Sequence, residues 1–377
     1  MIYFDNAATS LIKPECVKNS VKYALENLTA NPGRGGHTLS QMAGEYVYMT
    51  REKIKDFMNA KHHEVIFTKN CTEALNLAIR GILSSGDHVV TTMYEHNSVL
   101  RTLEYLKDFG VEYDTIDCDL KDFHVELKKH IKPNTKMVIT TCVSNVTGDM
   151  CNIDEVGKIC KDEKVIYFVD SAQAVGHVRI DIEKSKIDML AFSGHKGFMS
   201  ITGVGALIVR NDIKLKPLLF GGTGTSSENL VQPDIMPEGF ESGTIPSIPI
   251  VSLYYGIDFV EKNFEKMQKY EEFLIKYLNF KVKNEKFLKI YSNPSSNILL
   301  FNIENLDPSV VSNELNDMGI CVRSGLHCAP LAHKRIGTLY LGGAVRVSID
   351  FNNTKKEIDE LFYCLEKIYF KFCQRSC

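Results

Sequence analysis

Val165-Ile166-Tyr167-Phe168-Val169-Asp170-Ser171-Ala172-Gln173 is an apolar run that stops on a carboxylate and gives way to small polar residues. A continuous apolar run of this length predicts a strand buried on both faces, as in parallel sheets. Asp170 then lies at the strand's carboxyl end, the edge where open α/β sheets bind ligands. As a structural residue Asp170 would cap a following helix. As a functional one it would be a buried anion facing a cationic ring nitrogen.

Similar β-branched runs lie on either side, at Val65–Thr68, His88–Thr92, Glu112–Ile116, Lys136–Thr141, Met189–Ser193 and Ala206–Arg210. Between many of them run amphipathic stretches, at Thr72–Leu83, Asn97–Phe109, Val125–His130 and Asp154–Glu163. This alternation predicts an α/β domain with a mostly parallel sheet. Gly203-Val204-Gly205 leaves only a short approach to the last run, so that strand is a candidate to run antiparallel. After about residue 250 the pattern changes to one long helix from Ile250 to about Phe280, with an expected break near Asn263. Strands at Ile298–Ile303 and Ala344–Ile349 and helices at Val310–Met318 and Lys355–Phe372 then read as a smaller α+β domain.

Composition narrows the function classes. The 377 residues are 44% apolar and 24% charged, with a net charge of −3, which is ordinary globular chemistry. That balance gives no pull toward nucleic acid or membrane. No apolar run approaches the roughly 18–20 residues that span a bilayer. Met1 to Ser10 lacks the basic and apolar regions of a signal peptide, so a cytoplasmic protein is expected. The 11 scattered cysteines do not suggest a disulfide scaffold. No metal site is expected either: Cys373 and Cys377 form a lone tail pair, short of a four-ligand zinc site. They read as free thiols, or alternatively as a relay for sulfur or a metal clip completed by other ligands or a second chain.

Several polar residues follow the candidate strands. Ser193-Gly194-His195-Lys196-Gly197 places a lysine at the mouth of the sheet, either as a surface turn residue or as a Schiff-base lysine. Thr72 follows Val65–Thr68 and could cap the next helix, whose N-terminus is a ready phosphate site. His96 follows His88–Thr92 and could stack on a ring or move protons. Asn145 follows Lys136–Thr141 and could bond a ring oxygen or a substrate. Each signal is weak alone. Thr72, His96, Asn145, Asp170 and Lys196 on successive strand ends of one sheet are far more specific together.

In order and spacing these motifs resemble the class V aminotransferase family of pyridoxal-phosphate enzymes, and most closely its cysteine desulfurase and selenocysteine lyase branch. The resemblance runs nearly end to end. It includes Tyr3-Phe4-Asp5-Asn6-Ala7-Ala8-Thr9, Asn31-Pro32-Gly33-Arg34-Gly35-Gly36-His37, Gly221-Gly222-Thr223-Gly224-Thr225, Glu241-Ser242-Gly243-Thr244, Arg323-Ser324-Gly325-Leu326-His327-Cys328-Ala329 and Val345-Arg346-Val347-Ser348. It implies a fold-type I architecture with a seven-stranded, mostly parallel sheet. A large domain would span 16–255. The smaller domain would take 256–377 together with residues 1–15, the latter close to the active site.

The resemblance also implies roles. Lys196 matches the lysine that carries pyridoxal 5'-phosphate, Asp170 the partner of its ring nitrogen, and Gln173 the donor to its phenolic oxygen. His96 matches the ring-stacking residue and a plausible proton donor. Thr72, Ser193 and His195 match phosphate ligands. Thr244 matches a phosphate contact supplied by the other subunit, which implies a homodimer. Asn145 and Arg346 match positions that hold the amino acid, with Arg346 on its α-carboxylate, and Arg323 is counted with them as a substrate-binding residue.

Cys328 matches the nucleophile that takes sulfur from L-cysteine as a persulfide, releasing L-alanine and later passing the sulfur to an acceptor. That chemistry needs a thiolate and so a nearby cation, for which Arg323 and His327 are candidates by proximity. The alternatives are selenocysteine lyase, acting on L-selenocysteine, an aminotransferase using pyruvate or glyoxylate, and a non-enzymatic sulfur carrier or scaffold.

Overall fold

The computed structural model describes residues 1–33 and 35–373. In chain order the first elements are β1 (Ile2–Tyr3), α1 (Glu15–Asn27), α2 (Thr38–Met58), β2 (His63–Thr68), α3 (Cys71–Ile82), β3 (His88–Thr92), α4 (Asn97–Lys107) and β4 (Glu112–Ile116). They continue with α5 (Phe123–His130), β5 (Thr135–Thr141), α6 (Ile153–Glu163), β6 (Ile166–Asp170), β7 (Met189–Ser193) and β8 (Gly205–Arg210). The remainder comprises α7 (Ser247–Val282), β9 (Leu288–Ile290), β10 (Ile298–Ile303), α8 (Pro308–Asp317), β11 (Ile320–Cys321), β12 (Arg323–Gly325), α9 (Pro330–Arg335), β13 (Ala344–Ser348) and α10 (Lys355–Cys373). The tail pair at 373 and 377 lies outside the residues whose side chains are described.

Seven strands form one sheet in the order β2-β8-β7-β6-β5-β3-β4. β8 runs antiparallel to both its neighbours, β2 and β7, and the other pairings are parallel. The alternation of side chains along a strand divides the core into two layers. Val90, Val138, Tyr167, Val169, Leu190 and Phe192 face one layer, which α2, α6 and α7 cover. Val89, Met137, Ile139, Phe168, Met189 and Ala191 face the other, which α3 and α4 cover. Double coverage explains why these strands read as unbroken apolar runs.

Because β2, β3, β5, β6 and β7 are mutually parallel, their carboxyl ends share one edge of the sheet. A second sheet, β12-β13-β10-β9, is antiparallel and packs its own core, with Leu299, Phe301, Val345, Val347, Leu361 and Leu365. β1 pairs in parallel with β11, tying the N-terminus to this part.

The expected break near Asn263 is absent: α7 is continuous over 36 residues, about 54 Å at 1.5 Å per residue. Asn263 Nδ2 donates to the Phe259 carbonyl one turn back, so the amide adds to the helix instead of interrupting it. On the same helix Gly256 permits a close approach: a Cβ there would lie 2.1 Å from the Phe198 carbonyl oxygen. The glycine therefore lets α7 press on the turn that follows Lys196. Among the described residues no helix is long and apolar enough to cross a membrane.

A buried ion pair locks α2 to the loop before α7. Arg51 donates to both oxygens of Glu241, at 2.8 and 2.5 Å, and the Phe67 amide donates to Glu241 Oε1 at 2.6 Å. Removing the carboxylate strands a buried guanidinium. Glu241→Ala is expected to cost about 3–5 kcal/mol, read as a lowered urea midpoint. An unchanged midpoint would mean that water replaces the carboxylate without penalty.

Candidate active site

A cavity of about 260 Å³ opens at the shared carboxyl edge of the large sheet. Its walls include Thr72, His96, Asn145, Asp170, Gln173, Ser193, His195 and Lys196, together with Cys71. Each arrives at the end of a strand, in the turn that follows it or in the first turn of the next helix, where side chains project past the sheet.

Asp170 is the last residue of β6 and is buried. Its Oδ1 accepts from the Ala172 amide at 2.9 Å and from Cys71 Sγ at 3.4 Å. Lys196 lies in the turn after β7. Loss of hydration is the largest influence on its ammonium and pulls its pKa below the ordinary value, opposed by Cys71 and Asp170. Gly197 allows the turn to pack tightly, since a Cβ there would meet the Val175 carbonyl oxygen at 1.9 Å. His96 caps α4: its Nδ1 accepts from the Ser98 amide at 3.1 Å. That bond leaves Nε2 to carry the proton of the neutral ring. Burial lowers its pKa, so the neutral form is favoured.

Thr72 does not cap α3. Asn70 does, accepting from the Glu73 amide, and Thr72 Oγ1 sits 2.8 Å from Ser98 Oγ in the first turn. The Asn70 amide, two residues earlier, takes the capping bond, which leaves the Thr72 hydroxyl at the cavity. Ser193 Oγ accepts from the Cys71 amide at 3.0 Å. His195 Nδ1 lies 3.0 Å from Thr9 Oγ1, and burial, then Lys196 and Lys13, push its pKa down to about 4. One Gln173 Nε2 hydrogen goes to the Ala7 carbonyl at 2.8 Å.

The substrate candidates form an adjoining cluster. Arg346 on β13 is 1% exposed and lies against the N-terminal segment. It donates from Nη2 to Asp5 Oδ1 and from Nη1 to the Asn145 carbonyl, both at 2.9 Å. Among the described residues its Nε has no partner, an orphaned donor in a buried place. Asn145 Nδ2 donates to the His327 carbonyl at 2.7 Å.

Cys328 sits in the turn between β12 and α9, exposed, in a groove of about 380 Å³ that shares Thr72, His96 and Ser98 with the main cavity. Arg323 Nη2 lies 3.9 Å from its sulfur. His327 is not a cation beside the thiol. It is buried, its Nδ1 is 3.1 Å from His333 Nε2, and desolvation with the Arg346 charge pushes its pKa down to about 2. Thr244 lies outside the cavity. It is exposed on a separate depression of about 110 Å³ beside Thr68 and Ser242.

Two participants were not singled out in the sequence: Cys71, a buried thiol on the cavity wall, and Asp5, the anion that holds Arg346. The position of Cys71, between a helix cap and Thr72, was the available signal. Asp5 lies within the Tyr3–Thr9 stretch, with no local sign of a partner 341 residues away.

The donor set fits a phosphorylated pyridine aldehyde. Hydroxyls of Thr72 and Ser193 and the N-terminus of α3 suit a phosphate, Asp170 Oδ2 is left for a ring N–H, and Lys196 suits a carbonyl carbon.

The aminotransferase class-V family matches residues 2–361. A probable cysteine desulfurase of Pyrococcus abyssi is 37% identical, covering 98% of this chain and 94% of its own. A probable cysteine desulfurase of Methanothermobacter thermautotrophicus is 34% identical over 97% of this chain and 94% of its own. Among solved structures, the apo cysteine desulfurase of Thermococcus onnurineus NA1 superposes with a TM-score of 0.89 at 34% identity, over 97% of this chain and 94% of that one. Sheet order, a lysine and a carboxylate at adjacent strand ends, and likeness along nearly the whole chain agree: the protein belongs to the aminotransferase class-V family.

Proposed function

We propose that the protein is a cysteine desulfurase that uses pyridoxal 5'-phosphate to convert L-cysteine to L-alanine, with Cys328 taking the sulfur. The observation that carries this reading is an exposed thiol beside a guanidinium, next to a cavity holding a lysine and a carboxylate. Transamination needs no such thiol.

When bound, pyridoxal 5'-phosphate supplies an electron sink that loosens bonds at the amino acid's α-carbon. Thr72, Ser193 and His195 would hold its phosphate, Asp170 its ring nitrogen and Gln173 its phenolic oxygen, with His96 stacked on the ring. Thr244 would reach the phosphate of a second copy, so the working form is a homodimer. Residues 16–255 would form the cofactor-binding domain, and 1–15 with 256–377 the smaller domain.

Arg346, turned from Asp5, would take the substrate carboxylate through a two-pronged contact, with Asn145 alongside. Lys196 Nζ would remove the α-proton as its general base. Cys328 Sγ would attack the substrate sulfur: an S–S bond forms, the substrate's C–S bond breaks, and the Arg323 guanidinium meets the negative charge on sulfur. His96 would hand its Nε2 proton to the carbon product, and the proton released from the substrate thiol would replace it. An acceptor thiol then takes the outer sulfur. The proposed setting is the cytoplasm, whose reducing chemistry keeps scattered cysteines as thiols.

The test is to supply holoenzyme with L-cysteine and a reductant and to quantify alanine and sulfide. Wild type is expected to yield equal amounts, and Cys328→Ala neither above background while retaining cofactor. Undiminished alanine from the variant would remove Cys328 from the reaction. Loss of activity on cysteine alone, with selenocysteine still turned over, would show that the thiol is needed for sulfur and dispensable for selenium.

A further inference from the structure

Two buried imidazoles stand in line beneath Cys328. His327 Nδ1 is 3.1 Å from His333 Nε2, with the rings 5.3 Å apart and 21° from parallel. His333 Nδ1 is 2.7 Å from Thr338 Oγ1, and His327 Nε2 is 3.4 Å from the Arg323 carbonyl. His327, His333 and Thr338 are all buried.

The chemistry of the ends fixes the direction of the chain. A carbonyl only accepts, so His327 carries its proton on Nε2. Its Nδ1 therefore accepts, and His333 donates from Nε2. His333 Nδ1 then accepts from the Thr338 hydroxyl, whose other acceptor, the His333 carbonyl, is more distant at 3.4 Å. Both rings stay neutral: burial with the Arg346 charge holds His327 to about 2 and His333 to about 4.

This chain ends where the thiol is presented. His327 and Cys328 both have left-handed backbones, with φ of +48° and +57°. Two consecutive side-chain-bearing residues in that region are strained and persist only where their surroundings enforce it. From one side the turn is held through its carbonyls. Asn145 Nδ2 donates to His327 O and the Asn97 amide donates to Cys328 O, each at 2.7 Å. From below it is held through the His327 ring. The far end of the chain, the Arg323 carbonyl, belongs to the residue whose guanidinium is 3.9 Å from Cys328 Sγ.

We propose that Thr338, His333 and His327 form a one-way hydrogen-bond chain that positions Cys328 and Arg323 for sulfur transfer. Thr338 and His333 are positioning residues in this account and touch neither substrate nor cofactor. The inference rests on Cys328 being the nucleophile.

Thr338→Val in the holoenzyme removes the donor that sets the direction of the chain, and Thr338→Ser keeps it. The valine variant is expected to retain cofactor and to leave KM for L-cysteine within about twofold. Its kcat and the rate of Cys328 alkylation by iodoacetamide should each fall about 3- to 10-fold, the size of one hydrogen bond. The serine variant should restore both. If the valine variant yields no folded protein, Thr338→Ala removes the same hydroxyl and carries the same expectation. Wild-type kcat and alkylation in the variants would overturn the proposal. So would a loss of cofactor and KM together that serine does not rescue, since that would mark a packing role. If Cys328→Ala itself keeps full alanine formation, the reading of Cys328 has failed; if it is inactive while Thr338→Val is normal, only the chain has.

Discussion

Lys196→Ala is expected to lower alanine formation from L-cysteine by at least about 10²–10⁴-fold, the contribution of a well-placed proton-transfer group. Lys196 stands where β7 ends, in a turn pressed from one side by the Val175–Gly176 backbone and from another by α7. Its ammonium gives up hydration there, which favours the neutral amine that can accept a proton. Lys196→Arg separates charge from basicity. Arginine keeps the positive charge and does not deprotonate at working pH, so it should be as inactive as alanine. Both variants should also release cofactor on gel filtration under conditions where wild type keeps it. An active arginine variant would mean that Lys196 acts by charge alone.

Arg346→Ala is the second large effect. Truncating one partner of a buried, hydrogen-bonded charge pair costs about 2–5 kcal/mol. At 1.4 kcal/mol per decade, that is a rise in KM for L-cysteine of about 30-fold or more. The guanidinium is already bound to Asp5 and the Asn145 carbonyl, and Nε finds no partner among the described residues. In the proposed role of Arg346, substrate would compete with Asp5 for one side of the fork. Asp5→Asn should weaken that competition and lower KM, opposite in sign to Arg346→Ala. If both variants raise KM equally, Asp5 holds Arg346 in its productive pose instead of competing with substrate.

The legible part of this fold was its central sheet. β3 and β7 have the bounds their apolar runs suggested, and so does β10 of the second sheet, because a strand buried along its whole length writes its limits directly into hydropathy. The antiparallel β8 followed from a connection too short for a crossover. Elements joined by distant partners were not legible. β1 and β11 are two residues each and exist only through Ile2 and Tyr3 pairing with Ile320 and Cys321. α1 and α2 pack along α7, and their register depends on that distant helix. The same divide runs through the site. Residues that follow strands were legible as a set, since parallel strands deliver their ends to one edge. The Asp5–Arg346 pair, the Cys71 contact with Asp170 and the imidazoles under Cys328 depend on how segments far apart in sequence, or a turn of unusual backbone, meet in space.

In the proposed mechanism, sulfur leaves the substrate by bonding to Cys328. Holoenzyme mixed with L-cysteine, without reductant, should be quenched after a single turnover, alkylated, digested and weighed. The peptide containing Cys328 is expected to carry one added sulfur, lost on treatment with a thiol reductant, in an amount equal to the alanine released. Alanine formed with no added sulfur on that peptide would contradict the account.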